Sequence, residues 1–131
     1  MKFQPDTLEG VNSISRQEAG RLWVGAAAFE HSVLVPWAGA VTNWQLGAFA
    51  DLTPEHFEQV ARLAPEVVIF GSGAKLRFAP AALLRALIER GIGCETMDTA
   101  AACRTYNVLV SERRSVVAAL LVEPNGAVGD P

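Results

Sequence analysis

Two short stretches of this sequence hold the residues best suited to chemistry. One is Gly71-Ser72-Gly73; the other runs from Asp98-Thr99 to Cys103-Arg104-Thr105-Tyr106-Asn107. Glycines let backbone N–H groups turn toward an anion, and Arg104 and Lys75 would add positive potential. However, Leu76 stands where a dinucleotide-binding loop places its third glycine, and Lys75 is outside the Gly-Lys-Ser/Thr context of a nucleotide loop. The competing reading is a strand-end turn that needs positive φ or close packing. Ser72 lacks the Gly-x-Ser-x-Gly elbow and an aligned base, so no residue is assigned as catalytic. Cys103 falls near a predicted helix start, where amides and a cation lower a thiol pKa. Neighbouring helical residues point about 100° apart, and Asp98 opposes the thiolate. The alternatives for Cys103 are therefore a buried structural cysteine or a redox sensor. Thr99, Cys103 and Asn107 recur at i, i+4 and i+8 on one helix face, with Tyr106 beside them. That face suits a pocket wall or a packing contact in which Asn107, a weak helix former, bonds a neighbouring loop.

Specific elements must position these residues. Val67–Phe70 reads as a buried strand ending at Gly71. Cys94–Met97 reads as a second buried strand, and Asp98 caps a helix from Thr99 to about Ser111. In an open α/β sheet both junctions fall on the carboxyl edge of the strands. The sequence thus predicts a shallow cleft formed by Gly71, Ser72, Gly73, Lys75, Asp98, Thr99, Cys103, Arg104, Tyr106 and Asn107. Upstream, Thr53-Pro54-Glu55 starts a helix with Phe57, Val60, Ala61 and Ala64 on its apolar stripe, and Pro65 stops it. Pro80 starts another, with Leu83, Leu84, Leu87 and Ile88 as its buried face. Val116–Val122 is the final strand. The first third reads as a meander with strands over 11–14, 21–24 and 29–35. Trp37 and Trp44 lie in the connection that follows, as core anchors or as a binding surface. Alternating strands and helices after an early meander predict an α/β fold with a mixed sheet and an added β portion.

Composition narrows the classes. The 131 residues are half apolar, as expected for a single domain, 1–131, with loose ends at 1–9 and 124–131. No run approaches the roughly 18–20 apolar residues of a membrane span, and the N-terminus lacks the basic-then-apolar pattern of a secretory signal. A cytoplasmic protein without membrane insertion is expected. Two cysteines nine positions apart and two histidines, His31 and His56, offer few metal ligands, so neither metal nor cofactor is expected. The net charge is −3, divided into +3 over residues 62–114 and −6 elsewhere. That balance argues against nucleic acid and leaves a small anion or an acidic partner for the basic half.

Three segments carry a family resemblance: Pro65–Gly73; Gly91–Thr99 leading into Ala101–Leu109; and Ser32-Val33-Leu34-Val35-Pro36 with Trp44 downstream. Together they resemble the small bacterial and archaeal proteins related to mitochondrial complex I assembly factor 3 and to the adipogenesis-associated domain protein. The resemblance spans about residues 10–122, and Ser72 stands where members often carry threonine. It implies a three-layer α/β arrangement, with a central mixed sheet flanked by helices and an additional N-terminal β layer. It supplies no catalytic residues. It implies a non-enzymatic binding or assembly-factor-like module with a protein partner. The alternative reading is a small-anion-binding protein, or an enzyme, using the Gly71–Gly73 and Asp98–Asn107 cleft.

Overall fold

Strand residues that are apolar without alternation need cover on both faces, and two such strands fix the centre of this protein. The computed structural model describes residues 10–124; the expected loose ends, save Pro124, lie outside the described residues. In chain order the strands are β1 (Ile14–Glu18), β2 (Arg21–Val24), β3 (Ala27–Phe29), β4 (Val33–Pro36), β5 (Thr42–Asn43), β6 (Val67–Gly71), β7 (Gly93–Met97) and β8 (Val116–Leu120). The helices are α1 (Pro54–Ala61), α2 (Arg85–Glu89) and α3 (Thr99–Ser111). A mixed sheet runs β5-β4-β8-β6-β7, and a separate antiparallel sheet runs β1-β2-β3. β6 pairs in parallel with both β7 and β8, whereas β4 runs antiparallel to β8. Every residue of β6 and β8 is buried.

Each face of the central sheet has its own core. On one face Val33, Val35, Ile69, Ala118 and Leu120 pack with Ala102, Cys103 and Tyr106 of α3 and with Leu22 and Val24 of the small sheet. On the other, Val68, Phe70 and Ala119 pack with Phe57 and Val60 of α1, with Leu87 of α2, and with Trp44. Trp44 is fully buried. It meets Phe57 and Phe70 edge-on and donates its indole N–H to the His56 carbonyl at 3.1 Å. Trp37 is 44% exposed, so of the two tryptophans Trp44 is the anchor.

Several element expectations change. The final strand, expected over 116–122, stops at Leu120, and Ala64, expected on the α1 stripe, lies past the helix end with φ +52° and is exposed. The strand placed over 11–14 begins at Ile14, because the Asn12 backbone N–H bonds the Trp37 carbonyl at 2.9 Å instead of β2, and its side chain bonds the carbonyls of Pro36 and Gly39, each at 2.8 Å. The strand over 29–35 divides into β3 and β4, since the chain crosses between sheets at Ser32. The buried Ser32 hydroxyl donates to the Leu46 carbonyl at 2.6 Å and accepts the Val122 N–H at 2.9 Å. Pro80 opens a 3-10 turn, Ala81–Leu84, before α2. That tighter turn shifts the helical phase, so Leu87 faces the core while Ile88 is 61% exposed. Finally, β7 is an edge strand rather than a buried one, with Gly93 and Glu95 exposed.

The small sheet is fastened to α3 by side chains. Asn107 accepts the Ile14 N–H at 2.9 Å and donates to the Ile14 carbonyl at 2.8 Å, taking the place of a neighbouring strand. The buried Tyr106 hydroxyl lies within bonding distance of the carbonyls of Asn12 and Pro36, at 2.9 and 3.1 Å. Asn107→Ala leaves both β1 groups without their partner, and unpaired part-buried groups cost about 1–3 kcal/mol. Urea unfolding should register a loss of about 2 kcal/mol, larger than that of the exposed control Val108→Ala.

Candidate functional site

The two stretches singled out in the sequence meet. Gly73 donates its N–H to the Thr99 hydroxyl at 2.9 Å, and Thr99 returns its own N–H to the Gly73 carbonyl at 2.9 Å. The Thr99 hydroxyl in turn donates to the Leu121 carbonyl at 2.7 Å. Close approach requires Gly71: a Cβ there would sit 3.0 Å from the Thr99 backbone, its hydroxyl and the Leu120 side chain. Gly73 adopts φ +102°, which explains a glycine at that turn. Ser72 is buried, and its hydroxyl is spent on the turn itself. It donates to the Lys75 carbonyl at 2.7 Å and accepts the Arg77 N–H at 2.9 Å. Asp98 caps α3 by accepting the Ala101 N–H at 2.8 Å.

Beside this junction lies a groove of about 320 Å³. Its walls are Gly73 and Ala74, the α3 start at Asp98–Ala100, the β1–β2 turn at Glu18–Arg21, and Glu123. Of the expected cleft residues, Gly73, Asp98 and Thr99 line it. Gly71 and Ser72 lie beneath the turn, and Lys75 is exposed beyond it. Arg104 is exposed further along α3, and Cys103, Tyr106 and Asn107 turn toward β1 and the core. Three carboxylates, Glu18, Asp98 and Glu123, share the walls with one guanidinium, Arg21, itself paired with Glu30. Glu18 is likewise paired, with Arg16 at 3.0 Å, and Glu123 with Arg77 at 3.0 Å.

Sequence reasoning missed a clamp at the rim. Arg77 donates to the Ser72 carbonyl and to the Glu123 carboxylate, both at 3.0 Å, and its guanidinium lies 5.0 Å above the Phe49 ring. Glu123 also accepts the Ala74 N–H at 3.0 Å. The adjacency of β6 and β8 was the signal available, since it brings residues after Leu121 next to the glycine turn. Burial alone would raise the Glu123 pKa, but the Ala74 N–H and the Arg77 guanidinium outweigh it and hold the carboxyl below its ordinary 4.5. Burial pushes the Cys103 thiol up to about 12 against the pull of Arg104, so it stays protonated at neutral pH. Among the described residues, no three His, Cys, Asp or Glu side chains could hold a metal ion together, and no helix is long and apolar enough to cross a membrane.

The fold defines a class. A solution structure of a Bordetella pertussis protein, described as a Mth938-like domain, superimposes with a TM-score of 0.83 at 30% identity, over 97% of this chain and 96% of that one. A crystal structure of a Bordetella parapertussis protein gives 0.83 at 36% identity, over 89% of this chain and all of that one. The family model described as protein of unknown function (DUF498/DUF598) matches residues 14–121, and the chain belongs to that family. A Bos taurus relative named NADH dehydrogenase (ubiquinone) 1 alpha subcomplex assembly factor 3 is 36% identical over 104 residues, 78% of this chain. The chain spans about half the length of that relative, 55%.

Two measurements check the site chemistry. A folded-state pKa below the ordinary value means that the Glu123 contribution is present above about pH 4.5 and disappears as pH falls through the lowered pKa. Glu123→Gln should therefore lower the urea midpoint at neutral pH, and its deficit against the parent should close in acid. Iodoacetamide at neutral pH should leave Cys103 unmodified in the native chain and label it once urea unfolds the protein.

Proposed function

We propose that the chain is a non-enzymatic, cytoplasmic binding module that assists the assembly of a multisubunit NADH dehydrogenase. The observation that carries this reading is the 36% identity over 104 residues to the bovine assembly factor. The polar groups at the glycine turn add support from the other side: the Ser72 and Thr99 hydroxyls are committed to backbone partners, which leaves neither free to attack a substrate. A binding module needs surface instead. Arg104 is exposed on α3, and Trp37 exposes nearly half of its side chain where β4 ends. Aromatic and arginine side chains are the residues most often found at the centre of protein interfaces.

The test is made in cells. Deleting the gene should leave incomplete NADH dehydrogenase subcomplexes on native gels, and the tagged chain should co-purify with a subunit of that enzyme. Arg104→Glu and Trp37→Ala should reduce that recovery while leaving the melting temperature unchanged. A fully assembled, active NADH dehydrogenase in the deletion strain would refute the reading.

A further inference from the structure

The central sheet ends on one side in an open strand. β7 pairs only with β6 among the described residues. Ser72 donates its N–H to the Met97 carbonyl at 2.9 Å, which turns the backbone groups of Met97, and those of Glu95 and Gly93 with it, toward β6. Alternation along the strand turns the N–H and C=O groups of Cys94 and Thr96 to the open side. No described residue bonds them. The opposite edge of the sheet, β5, has two residues, whereas β7 has five, so only β7 offers a template of useful length. Half of the six large apolar side chains exposed on the described residues, Leu76, Phe78 and Ile88, lie on the crossover between β6 and β7.

We infer that β7 is a docking edge for an extended segment of a partner protein, which adds a sixth strand beside Cys94–Thr96 and places a lysine or arginine opposite Glu95. This inference rests on the binding-module reading and names the surface. Main-chain bonds along a sheet edge supply affinity, while alternate side chains supply specificity. Cys94 packs toward the α1 and α2 layer, so the partner residues on that face are apolar. Glu95 lies on the opposite face, in register with Ile69. It is exposed and makes no ion pair among the described residues. A second copy of this chain fits poorly. The symmetric antiparallel register that uses all four free groups pairs Cys94 with Thr96 and sets Glu95 directly opposite Glu95, and like charges so placed repel.

Displayed libraries of short random peptides, panned against the intact chain, provide the probe. The expected yield is extended sequences of alternating apolar residues with one basic position. In the free protein the Cys94 and Thr96 amides should exchange readily with solvent, and a recovered peptide should slow both. Thr96→Pro removes one outward donor while leaving the amides that bond β6, and should weaken binding about tenfold, as the loss of one backbone hydrogen bond implies. Glu95→Lys should reverse the preference from basic to acidic peptides. That variant decides the matter if Thr96→Pro fails to fold. Each of these results would overturn the inference: no enriched peptide, protection of both amides in the free chain, a dimer that protects them, or unchanged selectivity in Glu95→Lys. Peptides that protect the surface around Arg104 or Trp37 instead would remove the edge and leave the binding-module reading intact. Edge binding combined with normal NADH dehydrogenase in the deletion strain would do the reverse.

Discussion

One buried hydroxyl holds three separate parts of this chain together. Thr99 accepts from the turn after β6 and donates to the segment after β8, while its own backbone starts α3. The bonds are short and out of water, where an unmade one costs most. The absence of a Cβ at Gly71 lets Thr99 sit that close. From that point α3 runs across the sheet and delivers Asn107 to β1 and Tyr106 to the carbonyls of Asn12, just before β1, and Pro36 of β4. The position of β1 therefore follows from an interaction at the far end of the helix, and so does the groove between them.

The central layer was legible because its signals are local. Four consecutive apolar residues at Val67–Phe70, the Asp98 cap and the Thr53-Pro54 start each state a preference within a few residues, and each element formed where expected. Even the meeting of the glycine turn with Thr99 followed from the carboxyl-edge rule for α/β sheets. Partners chosen across long sequence separations were not legible. Nothing near Asn107 announces Ile14, ninety-three residues away, and nothing near Gly73 announces Glu123. The direction of Arg104 and the edge position of β7 depend on sheet order in the same way. In hindsight Glu95 was a local clue to the edge, because a charged residue is rarely placed mid-strand in a sheet covered on both faces.

The polar groups around the glycine turn are committed to holding the fold. Hydroxyls and amides at the glycine turn are consumed in backbone bonds, and the thiol on the same helix is buried and held protonated. Much of what is uncovered lies on the outside: aromatic and apolar side chains on connections, a lone arginine on α3, and a strand with spare main-chain groups. The family match over residues 14–121 takes in both layers of this covered core.

The placement of β8 has a consequence for how the molecule is made. It is the last of the described strands in chain order yet lies in the middle of the sheet, between β4 and β6. A ribosome releases the strands on either side first, and both must wait with an unzipped flank until β8 emerges from the exit tunnel. Closure therefore waits for the last of the described strands, and loop-closure entropy makes such long-range pairing slow. During that interval the nascent polypeptide is at its most vulnerable to mispairing, and chaperone protection matters most there.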